Sequence, residues 1–151
     1  MSTKPQTQAE KLPPKAILKL ISKLNVLVYR LSGGRVMGKL KGSPICLVTM
    51  TGRKSGRRIT MPLMYTPHQD RVLIVASLGG APQHPVWYHN LIANPNVTIQ
   101  DGKRVRSMLV RQAAPQEKAE LWPVCVASYP EFADYQARTG RDIPLMICEP
   151  V

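Results

Sequence analysis

At 151 residues, with 44% hydrophobic and 20% charged side chains, the chain can bury a core of its own and is too apolar to remain disordered. Its net charge of +12 lies wholly in residues 1–58, where thirteen Lys and Arg face the single acid Glu10; such asymmetry calls for an anionic partner. Three scattered cysteines in apolar runs (Cys46, Cys125, Cys148) exclude a disulfide framework and leave no metal site, and no apolar run reaches the ~20 residues of a membrane span.

Residues 1–13 are polar and read as a flexible tail, with one domain over 14–151. Between Lys15 and Leu31 the apolar residues Ile17, Leu18, Leu20, Ile21, Leu24, Leu27, Val28 and Leu31 recur at helical spacing, opposite Lys15, Lys19 and Lys23. This is a basic amphipathic helix, ended by Gly33-Gly34. Its apolar face either packs on the domain or lies on an anionic membrane surface. Pro44–Met50 and Ile59–Thr66 are β-rich runs flanking the turn Thr51–Arg58, so they form a hairpin. Arg71–Ser77 is a third strand, reached through a turn over Pro67–Asp70. After the break at Leu78–Pro82, His84–Ala93 is a short helix stopped by Asn94-Pro95. Val97–Gln100 and Lys103–Val110 pair about the Asp101-Gly102 turn. Helices over Gln116–Ser128 and Glu131–Arg138 precede a last strand, Ile143–Cys148. Roughly six strands dominated by hairpins predict a small α+β barrel.

Two stretches carry chemistry. In Thr51–Arg58 (TGRKSGRR), Gly52 and Gly56 let the backbone turn so that N–H groups can converge on an anion. Ser55 adds a hydroxyl, and Arg53, Lys54, Arg57 and Arg58 supply charge. The spacing is not that of a P-loop, and a strand follows instead of a helix. Taken alone, a solvated basic hairpin tip explains it equally well. In Ser77–Asn90 (SLGGAPQHPVWYHN), a strand ending in Ser-Leu-Gly-Gly leaves bare backbone against which a flat ring can lie, and Trp87 and Tyr88 arrive on a helix able to wall it. Taken alone, a tight turn beside a core Trp is the simpler reading.

Together these stretches resemble the deazaflavin-dependent nitroreductase family, whose members carry a TGRKSG-type turn, a Pro-Leu strand, VASxGG and a PxWYxNLxANP helix in that order. The chain has Thr51–Gly56, Pro62-Leu63, Val75–Gly80 and Pro85–Pro95 at matching spacing, and the similarity runs through Tyr129-Pro130 to Ile143–Pro150. The resemblance implies a split β-barrel of the flavin-reductase and pyridoxamine-phosphate-oxidase type. It also implies an enzyme that takes a hydride from reduced coenzyme F420, whose phospholactate–polyglutamate tail is polyanionic. On that reading Arg53, Lys54, Ser55, Gly56, Arg57 and Arg58 hold the tail. Met61, Pro62, Ala76, Ser77, Leu78, Gly79, Gly80, Trp87, Tyr88 and Asn90 complete the cofactor site, with the Ser77–Gly80 backbone and the Trp87 region holding the ring. Met64, Tyr65, Ser77, Tyr129, Phe132 and Tyr135 face a planar conjugated acceptor such as a quinone, enone or nitroaromatic, and no proton-transfer or nucleophilic residue is required. Two positions depart from the family pattern: Ile59 replaces an Arg, and Leu78 a Lys. The competing readings are a cofactor-sequestering carrier and a flavin-mononucleotide reductase on the same barrel. Nucleic acid is disfavoured because residues 1–58 contain only one aromatic, Tyr29. A cytoplasmic protein, with or without peripheral attachment at the inner face of the membrane, is expected.

Overall fold

The computed structural model describes residues 15–35, 38–40 and 42–151, so the expected tail over 1–13 lies outside the described residues. Helix α1 (Lys15–Ser32) comes first. The short β1 (Lys39–Leu40), then β2 (Ser43–Thr51), β3 (Arg58–Met64), β4 (Thr66–His68) and β5 (Arg71–Val75) follow. A single 3-10 turn over Leu78–Gly80 leads to α2 (Val86–Ala93), β6 (Asn96–Asp101) and β7 (Arg104–Gln112). Helices α3 (Pro115–Ser128) and α4 (Glu131–Arg138) precede β8 (Leu145–Pro150).

Every pairing is antiparallel, and the strands run in the order β3-β2-β6-β7-β8-β5-β4, with β1 also on β2. The two ends of that series, β3 and β4, are separated in the chain by Tyr65 alone. A sheet whose edges are joined by one residue must roll up, and the result is a split β-barrel. The expected Pro67–Asp70 turn is shorter than the spacing suggests. Thr66–His68 pairs with Arg71–Leu73, leaving the reversal to Gln69, at φ 59°, and Asp70. Pro67 is compatible with this strand because β4 pairs on one side only. Among the described residues the eight strands exceed the expected six by β1 and β4.

Alternation sorts the core into layers. Cys46, Val48 and Met50 of β2 point into the barrel with Val72, Ile74, Val97, Ile99, Met108, Val110, Met146 and Cys148. The opposite faces of β5 and β8 (Leu73, Val75, Leu145, Ile147) pack beneath Leu121, Cys125, Tyr129 and Phe132 of the α3–α4 region. The cysteines behave as small hydrophobes: burial pushes the Cys125 thiol up to about 11 and the Cys148 thiol up to about 12.

Helix α1 is fastened through Val26 and Tyr29, packed on Leu47 and Ile45. The Tyr29 hydroxyl donates to the Ile45 carbonyl (2.9 Å) and accepts from the Gly102 amide (2.8 Å), tying the helix to the β6–β7 turn. The apolar stripe read from sequence is therefore split. Leu20, Ile21, Leu24, Leu27 and Leu31 remain exposed, Leu31 at 79%.

Candidate functional site

The strand registers gather the chemistry-bearing segments at one rim of the barrel. Strand β2 ends there at Thr51, paired with Arg58 at the start of β3. β5 ends at Val75 opposite Leu145, where β8 begins; β7 ends at Gln112 opposite Met146, and β6 starts at Asn96. The turn Thr51–Arg58, the Ser77–Ala81 loop and α2 are thus brought to one end, although they are distant in sequence.

The basic turn is built by its own backbone. Gly52 N–H donates to the Arg57 carbonyl (2.8 Å), Gly56 N–H to the Gly52 carbonyl (2.9 Å), and Arg57 N–H to Ser55 Oγ (3.2 Å). Gly56 adopts φ 68°, where a side chain is strained, and a Cβ on Gly52 would lie 2.5 Å from Ser55 Oγ. The fourth amide, Arg53 N–H, donates to Oδ1 of Asn90 (2.9 Å), a buried residue of α2. These bonds change the sequence expectation. With the amides of Gly52, Arg53, Gly56 and Arg57 engaged internally, anion holding falls chiefly to side chains and to the Ser55 hydroxyl, whose proton remains free to donate. Asn90, expected among the cofactor-binding residues, secures the turn.

Among the described residues no carboxylate pairs with the charge at this tip. Among the described residues the ion-paired cations are Arg104, Arg106, Arg111 and Lys118, all in the second half of the chain. Arg53, Lys54, Arg57 and Arg58 are exposed and in no such pair. Arg58 also borders a groove of about 520 Å³ between α1 and β3, lined by Lys23, Val26, Leu27, Arg30, Ile59 and Thr60. Ile59, where the family pattern has Arg, is half-buried and packs on the barrel core.

The second segment is held from behind by Arg141, on the link between α4 and β8. Its guanidinium donates to the carbonyls of Ala76 (3.2 Å), Ser77 (2.7 Å) and Ala81 (2.8 Å) and meets Nδ1 of His84 at 2.9 Å. Peptide groups are planar and trans, so the N–H on the far side of each peptide points away from its carbonyl. The amides of Ser77 and Leu78 are thereby turned away from Arg141. Leu78 (φ 44°) and Gly79 (φ 62°) complete the loop and are exposed, Leu78 being a non-glycine residue in the left-handed region. A Cβ on Gly80 would sit 2.6 Å from the Tyr135 carbonyl, so the loop presses directly on α4. Ala76 is fully buried, Met61 and Trp87 are half-buried against the barrel core, and Pro62 is exposed on β3. Tyr88 donates to Gln112 Oε1 (2.7 Å) and packs on His84, ring centroids 4.5 Å apart.

Of the residues expected to face an acceptor, the structure groups four. Met64, Tyr129, Phe132 and Tyr135 share the cluster between α3, α4 and β5. Phe132 is buried there, in ring contact with Trp122 and Tyr129. Tyr65 points the other way, against the barrel interior, where burial first and Asp101 next push its hydroxyl up to about 12. Consecutive strand residues face opposite sides, so Met64 and Tyr65 cannot share one pocket. Sequence reading missed Glu131. Its Oε2 accepts from both Tyr129 (2.5 Å) and Tyr135 (2.9 Å), and this bond holds the Tyr129 hydroxyl well above its ordinary pKa. Glu131 and Tyr135 lie at i, i+4 on α4, a spacing that was readable. Arg141, whose partners lie about sixty residues away, left no local signal.

The model of a family described as F420H(2)-dependent quinone reductase matches residues 21–150. An F420H(2)-dependent quinone reductase of Mycobacterium tuberculosis is 36% identical over 129 residues, covering 83% of this chain and 87% of that protein. A solved structure described as an F420-H2 dependent reductase (FDR-A) is 43% identical, with a TM-score of 0.66 over 70% of this chain and 94% of its own. Another, described as a domain-swapped dimer, is 35% identical with a TM-score of 0.69, covering 91% of this chain and 100% of its own.

Proposed function

The chain belongs to the F420H(2)-dependent quinone reductase family, and we propose that the barrel rim seats the cofactor with its tail on Thr51–Arg58 and its ring on Ser77–Gly80. Membership makes the protein an oxidoreductase whose cofactor is reduced coenzyme F420. The residues present fit that group. Four exposed cations without carboxylate partners among the described residues suit a phosphodiester followed by several carboxylates, and the groove beside Arg58 continues the cationic surface to Arg30 and Lys23. A flavin mononucleotide, with one phosphate, calls for less charge. The single observation that carries the reading is this cluster of exposed cations, in no ion pair among the described residues, on the same rim as the Ser77 and Leu78 peptides whose carbonyl sides Arg141 holds.

When bound, the cofactor supplies a hydride; the chain supplies placement. The Ser77 and Leu78 amides can donate to the electron-rich edge of a flat ring, and Trp87 can wall it. The acceptor that fits the family is a quinone. Tyr129 and Tyr135 as held donate to Glu131, so they can donate to a quinone oxygen only when Glu131 releases their protons. The test is tryptophan-quench titration with F420 and with flavin mononucleotide, followed by anaerobic turnover of menadione. Tight flavin mononucleotide binding without F420 binding contradicts the assignment. F420 binding without oxidation by any quinone, enone or nitroaromatic favours a carrier.

A second reading concerns location. The exposed stripe Leu20, Leu24, Leu27 and Leu31, on a helix without acidic residues, supports peripheral contact with an anionic membrane, from which a lipid quinone would be reached. Removing residues 1–31 is a poor test, because it also removes the buried Tyr29. Co-sedimentation of the full chain with vesicles containing anionic lipid is expected to be lost on Leu20→Glu/Leu24→Glu; equal binding by both proteins refutes this contact.

A further inference from the structure

Arg141 lies outside every motif that marks the rim, yet it makes the most concentrated set of contacts there. One guanidinium engages three backbone carbonyls of the Ala76–Ala81 segment and the imidazole of His84. All four partners are neutral, and no carboxylate faces it among the described residues, so its positive charge stands directly behind the loop. Because Arg only donates, Nδ1 of His84 must be the acceptor, which places the ring proton of the neutral imidazole on Nε2. We propose that Arg141 is the positioning residue of the cofactor-ring loop, fixing and polarising the Ser77 and Leu78 peptides and coupling their order to the protonation state of His84.

The inference rests on the ring being seated at Ser77–Gly80. A cation on the carbonyl side of a peptide strengthens the N–H on the opposite side as a donor. Two adjacent peptides are treated this way, while Ala81, the third, is followed by Pro82, which has no N–H to present. The segment needs such support because Leu78, Gly79 and Gly80 all adopt positive φ, a run that the chain would abandon if untied. Lysine cannot replace this residue, since a single ammonium lacks the planar fork that spans carbonyls in different directions.

Protonation of His84 would place an N–H at Nδ1 against the guanidinium, replacing a hydrogen bond by repulsion between cations. The groups facing His84 are Arg141 from the α4–β8 link and Tyr88 and His89 from α2. Burial, then Arg141, then His89 hold the imidazole below its ordinary value, so the neutral form is the resting one near neutral pH. Acidification below that range should loosen the loop.

The experiment titrates wild type, Arg141→Lys and His84→Gln with F420 at neutral pH and near pH 5.5, and measures kcat for menadione at saturating reduced cofactor. Arg141→Lys is expected to weaken F420 binding by about tenfold, the scale of one hydrogen bond to a charged group, and to lower kcat even at saturation because the ring is misplaced. The acid-side loss of affinity in wild type should be several-fold larger than in His84→Gln, which keeps an acceptor but cannot titrate; the comparison cancels the titration of the ligand itself. Wild-type affinity and kcat in Arg141→Lys overturn the proposal, as does an identical acid-side loss in His84→Gln. Failure of wild type to bind F420 at all sinks the underlying placement instead, so the two failures are distinguishable.

Discussion

Replacing Asn90 by Ala removes a side chain that joins α2 to the basic turn. Asn90 is 8% exposed, its Oδ1 accepts from the Arg53 amide at 2.9 Å, and its amide nitrogen lies 3.8 Å from the sulfur of Met50. The Sδ contact is weak, so the stability effect is dominated by one backbone N–H losing its partner. In a wholly buried setting that loss costs about 1–3 kcal/mol. Here Arg53 is exposed and water can partly satisfy its amide, while truncation leaves a small void beside Met50. A loss of about 1–2 kcal/mol follows, which for a chain of this size lowers Tm by roughly 3–6 °C. The effect on binding should be disproportionate. Untying Arg53 lets Arg53 and Lys54 sample many positions, and the ordering that Asn90 now provides must be supplied by the ligand. F420 affinity is expected to fall by about three- to tenfold, measured by tryptophan-quench titration alongside a thermal melt of the same sample. An unchanged dissociation constant, or a changed one with F420 turnover fully restored by Asn90→Ser, which is too short to span the same distance, would refute the reasoning.

Lys54→Ala is expected to weaken F420 binding by about tenfold with Tm unchanged, because the side chain is exposed and in no ion pair among the described residues; the difference from wild type should shrink as salt is raised, and a salt-independent difference contradicts a charge contact. Gly80→Ala forces a Cβ to 2.6 Å from the Tyr135 carbonyl at φ 80°. A loss of about 2–3 kcal/mol and a Tm lowered by roughly 5–10 °C are expected, and a melt like that of wild type would show that the loop does not press on α4. Glu117 is held down to about 2, first by its hydrogen bond with Arg111 and then by the Ala114 amide. A depressed carboxyl contributes stability that is complete above its unfolded value near 4.3 and is lost as pH falls toward 2. Glu117→Gln should therefore flatten the acid-side loss of stability between about pH 4.5 and 2, and unchanged slopes in acid denaturation would contradict this pairing.

Elements with strong local chemistry were legible before any coordinates. Asp101-Gly102 marked its hairpin, the bounds of α4 followed from Pro130 and the helical run after it, and the ordered motifs placed both segments of the rim. What escaped depends on contacts between residues distant in the chain. Periodicity located the apolar face of α1 but could not show that Val26 and Tyr29 are covered while Leu20, Leu24, Leu27 and Leu31 are bare, because coverage is set by the barrel surface available. Glycines foretold a turn at Thr51–Arg58, but not that Asn90 and the turn's own carbonyls would occupy most of its amides. The pairing of Met64 with Tyr65 failed on the alternation of a strand, and Arg141 was invisible because an arginine's partners cannot be read from its neighbours.

The central claim is that the unpaired cations of Thr51–Arg58 and the amides of Ser77–Gly80 form one site for reduced F420 that delivers a hydride to a quinone. Anaerobic mixing of the full chain with reduced F420 and menadione, following the absorbance of the oxidised cofactor, tests it most directly. Menadione-dependent oxidation that saturates with cofactor, at a saturation point shifted upward by Lys54→Ala, is predicted; cofactor oxidation no faster than without protein, or saturation indifferent to Lys54, would contradict it.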